Sequence, residues 1–337
     1  MNPLPWDNMD WGILDRLRDG FLQGVTAGVP YWESQYDLAH YDATFGERIG
    51  WKWDHVLAEL KRRGWSPPPG PLLDWGCGSG IAGRRVLQTW PDWANDPATE
   101  LQLFDHSLNA ESFAAARARS SFPELAVQSW DRAVRPTTLV ISHVLNELDA
   151  DATADLEEVI AAADVVLWLE PGTSAVAREL VKWRERLQGR FRVIYPCPHQ
   201  GPCGMLTPGN ERHWCHHFAA PPSAIFADSN WVRFGQRAGI DLRSLPYSAL
   251  VLDSSGRSDP DPLPADAARA IGRPQVFKPY ARILGCDAQG VRSLELAKRI
   301  DARLIKRLDR ADAPHLFAWN DEQGQIEHLR VLFPPPS

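Results

Sequence analysis

The sequence predicts an α/β fold: a doubly wound sheet with an N-terminal helical extension and a Cys-rich metal-binding insertion. Three observations predict it. Short apolar runs alternate with helical stretches from about residue 71 onward, the pattern of a parallel sheet with right-handed crossovers. A glycine-rich turn, GCGSG, follows the first of those runs. Residues 195–217 gather three of the five cysteines and four of the ten histidines.

The chain of 337 residues has room for an α/β domain of about 200 residues with appended elements. Hydrophobic content of 44% and charged content of 23% are those of an ordinary globular protein. A net charge of -7 argues against coating nucleic acid through bulk charge, but leaves room for a local basic face. The start, MNPLPWDNMDWGILDRLRDG, lacks a basic segment followed by an apolar run, so no secretory signal is expected. No apolar stretch reaches the length of about 18 residues that a membrane span needs. The expected location is the reducing cytoplasm, where clustered cysteines bind metal more often than they pair.

Residues 1–68 form the N-terminal helical region. WGILDRLRDGFLQGV and WDHVLAELKRRGW place apolar residues at i, i+3 and i+4, and SPPPGP ends the segment with a stiff linker. Residues 69–192 form a Rossmann-like core. Its strands are PLLDW (71–75), LQLFD (101–105), TLVISH (138–143) and VVLWLEP (165–171), with AGRRVLQTW and DATADLEEVIAAA as helices between them. A basic helix begins at about residue 172. Residues 193–235 are the cysteine-rich insertion. Residues 236–337 hold the remaining sheet strands, among them YSALVLD (247–253) and YARILGC (280–286), and a basic C-terminal region. SSGRSDPDPLPADAARAIGRPQ (254–275) reads as an exposed loop. LELAKRIDARLIKRLDR, with Leu296, Ile300, Leu304 and Leu308 four apart, leans towards helix, although short strands would also fit.

LLDWGCGSG sets Asp74 at the end of a buried strand, followed by Gly76, Gly78 and Gly80. Glycines here let the chain turn sharply and bring backbone N–H groups against a ligand that a Cβ would exclude. The G-x-G-x-G spacing behind an acid is not the G-x-G-x-x-G of nicotinamide binders. It resembles motif I of class I S-adenosylmethionine (SAM)-dependent methyltransferases. That resemblance implies a class I methyltransferase-type sheet, with the glycine turn under the amino-acid part of SAM and the acid fixing the loop and the ligand's amine. Asp105, ending the next strand, then falls where a carboxylate takes the ribose hydroxyls. Cys77, inside the turn, is a small packing residue.

The exit of the TLVISH strand, LVISHVLNELDAD, offers Ser142, His143, Asn146 and Glu147 as substrate-facing groups, where this fold's fourth strand usually positions them. His143, Asn146 and Glu147 are the catalytic candidates; a polar pair satisfied at a strand end is the plainer reading. The [DN]-P-P-[YF] signature of amino-group methylases is absent, as is a cysteine pair for carbon-5 pyrimidine methylation.

Cys197, Cys203 and Cys215 lie in one loop, and Cys286 after a later strand could supply a fourth thiolate. Four thiolates close a tetrahedral zinc site or hold a [4Fe–4S] cube. The first gap is wide for zinc, though spacing alone leaves both open. The C-x3-C-x2-C run of radical SAM enzymes is absent, so a cluster here is structural or sensory. His199, His213, His216 and His217 stand nearby as substitute ligands or as polar loop residues.

HVLNEL, LEPGT, the basic helix, PCPHQGPC and WCHH together resemble the methyltransferase-like family of mitochondrial small-ribosomal-subunit assembly factors and its bacterial relatives, over roughly residues 70 to 290. The resemblance implies a [4Fe–4S] cluster on Cys197, Cys203, Cys215 and Cys286, in preference to zinc. It also implies SAM as cofactor and small-subunit ribosomal RNA or a pre-ribosomal particle as partner. The gap before Cys215 is longer than the family's and the tail after Cys286 matches poorly.

Two basic runs could meet such an RNA: Arg178, Lys182, Arg184, Arg186, Arg190 and Arg192, and then Lys298, Arg299, Arg303, Lys306, Arg307 and Arg310. GERIGWKWDHV is aromatic and basic enough either to stack bases or simply to pack. The expected function is rRNA methylation, assembly of the small subunit, or both. The alternatives are a non-catalytic assembly factor and a small-molecule methyltransferase with a structural zinc loop.

Overall fold

The structure, a computed structural model, describes residues 4–23, 32–257, 262–308, 310 and 313–333. In chain order come α1 (Trp11–Gln23), α2 (Gln35–Tyr41), α3 (Glu47–Arg62), β1 (Leu72–Trp75), α4 (Ile81–Thr89), α5 (Pro91–Ala94) and β2 (Leu101–Phe104). Next are α6 (Leu108–Ser121), β3 (Val127–Ser129), β4 (Thr138–Ser142), α7 (Ala150–Ala162), β5 (Val165–Pro171) and α8 (Ser174–Leu187). Then follow β6 (Arg192–Tyr195), β7 (His217–Ala219), α9 (Ser229–Ala238), β8 (Leu245–Asp253) and β9 (Ala267–Val276). The last are β10 (Tyr280–Asp287), β11 (Gly290–Ala297), α10 (Ala302–Ile305), β12 (Leu316–Glu322) and β13 (Gln325–Val331).

The chain divides into two compact units. The first comprises Met1–Ala58, Ser66–Leu169 and Pro221–Leu245; the second comprises Glu59–Trp65, Glu170–Ala220 and Pro246–Ser337. In the first unit β3, β2, β1, β4 and β5 run parallel in that order, with Leu72 opposite Leu101 on one side and Thr138 on the other. The doubly wound α/β expectation holds. All four residues of β1 are buried, because helices cover both faces of such a sheet; that is why its strands read as unbroken apolar runs. From β1 the chain builds outward through β2 and β3, then returns to the other side of β1 with β4. The carboxyl ends of β1 and β4 therefore border the crevice where open α/β sheets take their ligands.

In the second unit β6 and β8 pair antiparallel and β7 pairs with β8. Strands β10-β11-β13-β12-β9 close into a barrel. Its interior is apolar, with Ala281, Ile283, Leu294, Leu296, Phe317 and Trp319 among the buried residues.

Two expectations are corrected, and one left open is decided. The segment read as a loop through residue 275 contains all but the last residue of β9, a ten-residue strand. Its alanines pack in the barrel while Arg269 is buried by a specific partner, so local polarity misleads there. The tail that leans helical is instead β11, a turn, and the four-residue α10. Leu296, Leu304 and Leu308 do share one core, but they reach it from different elements. GERIGWKWDHV packs: Trp51 and Trp53 are both buried, and Trp53 donates its indole N–H to Ser142 Oγ at 3.1 Å. Strands β3, β6, β7, β12 and β13 are additions that the sequence pattern does not announce one by one. Residues 24–25, 258–261, 309 and 311–312 of the predicted segments lie outside the described residues. Among the described residues no helix is long and apolar enough to cross a membrane.

Candidate functional site

The turn after β1 is built as its glycines require. Gly76, Gly78 and Gly80 have φ of 68°, 52° and 72°, a region that L side chains enter at a cost. The neighbours separate the roles of the three. A Cβ on Gly76 would lie 2.7 Å from Val144 Cγ1, and one on Gly80 would lie 2.8 Å from Ala114 Cβ. Around Gly78 nothing stands within 4 Å, so there the backbone faces open space.

Two carboxylates flank the turn, Asp105 bonding the turn itself and Asp74 the helix that follows it. Asp74, 1% exposed, accepts the Gly83 N–H on Oδ2 at 2.9 Å, whereas its buried Oδ1 has no hydrogen-bond partner. Burial pushes the Asp74 pKa up to about 7, against the Gly83 N–H and Arg84. Asp105 accepts the Gly78 N–H on Oδ2 and the Ser107 N–H on Oδ1, each at 2.9 Å. Burial raises its pKa as well. An unpartnered anionic oxygen at the carboxyl end of β1, four residues before the open Gly78, can receive a cationic amine. Cys77 is buried, as a packing residue should be.

At the exit of β4 the substrate-facing candidates separate. His143 has a positive φ of 60° and its Nε2 lies 3.3 Å from Lys52 Nζ. Burial first, then Lys52 and Arg48, hold its pKa well below the ordinary histidine value. An ammonium donating to Nε2 leaves the other ring nitrogen, 3.4 Å from Ser142 Oγ, to carry the proton. Asn146 is exposed, and Glu147 is half-buried with its backbone N–H on Val144 O at 2.8 Å.

In the second unit Cys197, Cys203, Cys215 and Cys286 all line one small pocket, together with Met205, His217, Arg269 and Val291. Helix α8 positions the loop: Arg184 Nη2 donates to Gly201 O at 2.7 Å, and Glu185 accepts the Cys203 N–H at 3.1 Å. Gly204 must be a glycine, since a Cβ would meet Val291 N at 2.4 Å. Burial pushes the Cys203 thiol up to about 11 and those of Cys215 and Cys286 well above the usual range. Neighbouring cysteines add to each shift. Among the described residues no three His, Cys, Asp or Glu side chains converge as a site for a metal ion. His199 Nε2 lies 3.6 Å from Cys286 Sγ, and His217 Nε2 lies 3.9 Å from Cys215 Sγ. His213 and His216 turn elsewhere, His216 stacking on Trp214.

The first basic run does not form one face. Arg178 donates to the carbonyls of Asn210 and His213, and Arg184 is buried, so both anchor the cysteine loop. Lys182 pairs with Glu179, while Arg186 and Arg190 lie over Trp183 and Phe191. In the second run Lys298, Arg299, Arg303, Lys306, Arg307 and Arg310 are all exposed.

Sequence reasoning missed the buried ion network beside the cysteine pocket. Arg269 forks onto Glu59, donates to Pro196 O at 2.5 Å, and lies over the Tyr195 ring; His315 also bonds Glu59, at 2.9 Å. Its one local signal is an arginine between alanines in AARAI, too slight to read before Glu59 is known to face it.

A family model described as mitochondrial small ribosomal subunit Rsm22 matches residues 40–290. No curated protein matches the chain. Solved structures include a protein assigned as an RNA methyltransferase from Pyrococcus horikoshii, 13% identical, covering 60% of this chain and 83% of that one, with a TM-score of 0.36. The plantazolicin methyltransferase BpumL in complex with SAH is 10% identical, covering 72% and 99%, with a TM-score of 0.40. TrmK of M. capricolum, also with SAH, is 8% identical, covering 61% and 70%, with a TM-score of 0.32. Likeness this weak carries no argument about cofactor or substrate.

Proposed function

We propose, for a chain that belongs to the mitochondrial small ribosomal subunit Rsm22 family, a SAM-binding, methyltransferase-like role on the small ribosomal subunit. One observation carries the cofactor reading: buried Asp74 gives one oxygen to the Gly83 N–H in the first turn of α4 and keeps Oδ1 unpartnered, while the glycine turn that follows it is open at Gly78. Asp74 would take the ligand's amine, Gly76, Gly78 and Gly80 its amino-acid end, and Asp105 the ribose hydroxyls. SAM would supply the methyl group, and the chain's part is to hold it aligned with an acceptor on ribosomal RNA.

The finer part of the proposal is a structural [4Fe–4S] cluster on Cys197, Cys203, Cys215 and Cys286. Four thiols from three segments lining one pocket support it, and thiolates suit iron–sulfur chemistry. Such a group would tie the loop to β10 and contribute folding energy there. The reducing cytoplasm belongs to the same proposal.

A second reading, an assembly factor that binds SAM without transferring methyl, is favoured by His143: with Lys52 at its Nε2 it has no free nitrogen to act as a base. Incubating the protein with small ribosomal subunits and methyl-labelled SAM tests both. Label in rRNA supports the enzyme, co-sedimentation without label supports the assembly factor, and neither result overturns the ribosomal reading.

A further inference from the structure

The barrel of the second unit closes in the order β10-β11-β13-β12-β9, with β11 and β13 parallel and each other neighbouring pair antiparallel. Helix α10 falls between β11 and β12. Counted from β9 this is the five-stranded Greek-key arrangement of OB-folds, whose second and third strands and first hairpin loop take oligonucleotides or oligosaccharides. A fold does not assign a ligand. The side chains on that face must.

On β10 the residues alternate. Ala281 and Ile283 enter the barrel core, which sends Tyr280 and Arg282 outward. The β9–β10 turn closes with the Phe277 N–H on Tyr280 O at 2.8 Å, and the two rings lie 4.9 Å apart at 32°. Phe277 is 40% exposed and Val276 beside it 43%, an aromatic and aliphatic tip that core packing does not require. The Arg282 guanidinium sits 5.5 Å from the Phe277 centroid and 5.9 Å from that of Tyr280. Lys278 lies in the turn, and Lys298, whose N–H bonds Pro279 O at 2.9 Å, sits beside it with Arg299 next in sequence; all three are exposed. Two carboxylates meet these cations among the described residues: Glu295 bonds Arg282 at 3.2 Å, and Glu327 of β13 lies 4.0 Å from Arg299.

We infer that this face binds single-stranded RNA, with Phe277 and Tyr280 as the stacking platform and Arg282, Lys278, Lys298 and Arg299 as the phosphate contacts. Bases stack on exposed rings whatever their identity, while flanking cations track the backbone; a neutral sugar chain would gain nothing from the cations. The choice of RNA over DNA rests on the ribosomal reading above, whereas the platform itself rests on the barrel alone. Cys286 lies four residues beyond Arg282 on the same strand, about 13 Å away at strand rise, so the cysteine pocket and the platform share β10.

The test is fluorescence anisotropy of the full-length protein with a labelled twelve-nucleotide oligo(U). Phe277→Ala and Tyr280→Ala are compared with the ring-preserving Phe277→Trp and Tyr280→Phe, with unchanged circular dichroism and melting temperature as the control for folding. The inference expects saturable binding of oligo(U), weakened about tenfold by each alanine and restored by each conservative ring. Lys298→Gln with Arg299→Gln should flatten the salt dependence. Binding that ignores both rings, or equal binding of a blunt RNA duplex, overturns it. If oligo(dT) binds as well as oligo(U) with the same ring dependence, the platform stands and its assignment to RNA falls. If small-subunit association persists while the rings prove silent, the ribosomal reading survives and this inference does not.

Discussion

Asp105 accepts the backbone N–H of Gly78 at 2.9 Å, so the acid that ends β2 also sets the shape of the turn that follows β1. The two features the sequence marks separately are one assembly. Asp105→Ala is therefore expected to damage ligand affinity twice, through the lost carboxylate and through a loosened Gly78. Asp105→Asn can still accept the N–H and should lose less. Titration calorimetry with S-adenosylhomocysteine checks the ranking.

Gly78→Ala and Gly80→Ala separate space from strain. Both need a left-handed backbone, at a cost of about 1–2 kcal/mol, but only at Gly80 does the new methyl meet a neighbour, Ala114 Cβ at 2.8 Å. Gly80→Ala should lower the urea midpoint more. Gly78→Ala should keep most stability and lose cofactor binding, because its methyl enters the open side of the turn.

The pH dependence of binding follows from Asp74. Burial raises its pKa to about 7, and a bound ammonium needs the anion. Affinity should fall about tenfold per pH unit below 7 and flatten above it. The effect on unliganded stability has the opposite sign. A carboxyl raised above its unfolded value of 3.8 stabilises most below that value, and the contribution fades as pH rises through 7. Asp74→Asn should abolish both trends.

Arg269 and Glu59 are 1% and 2% exposed, and Arg269 and His315 hold the Glu59 pKa well below the ordinary value despite its burial. Arg269→Met strands a buried carboxylate and should cost about 3–5 kcal/mol, read from chemical denaturation. Glu59→Leu with Arg269→Met should recover much of that loss. Because the Glu59 pKa is lowered, its contribution is present above pH 4.5 and is lost as pH falls through the folded value.

Anaerobic purification followed by iron, sulfide and zinc analysis reads the cysteine pocket. About four irons and four sulfides per chain are expected, lost in both Cys203→Ser and Cys286→Ser. Stoichiometric zinc without sulfide would remove the cluster from the account.

The parallel half of the fold was legible because buried strands write themselves as unbroken apolar runs, as in VVLWLEP. The glycine turn was legible because Asp74 and its glycines are local. The barrel was not. Arg269, Gly272 and Pro274 interrupt β9, and the arginine is tolerated only because Glu59 meets it 210 residues away. Leu296, Leu304 and Leu308 mimic a helical stripe while entering one core from a strand, a single helical turn and the turn after it. Of the first basic run, Arg178 and Arg184 hold a loop; charge alone cannot tell a loop anchor from an RNA contact. The stacking platform was hidden because Phe277 and Tyr280 acquire meaning only when the strands close.

The most direct test of the cofactor claim is calorimetric titration of SAM into the wild-type chain and Asp74→Asn at pH 8. One site per chain is expected, with affinity weakened about tenfold or more in the variant through loss of a charge-assisted contact and no change in circular dichroism. No binding by the wild type, or equal binding by both, would contradict it.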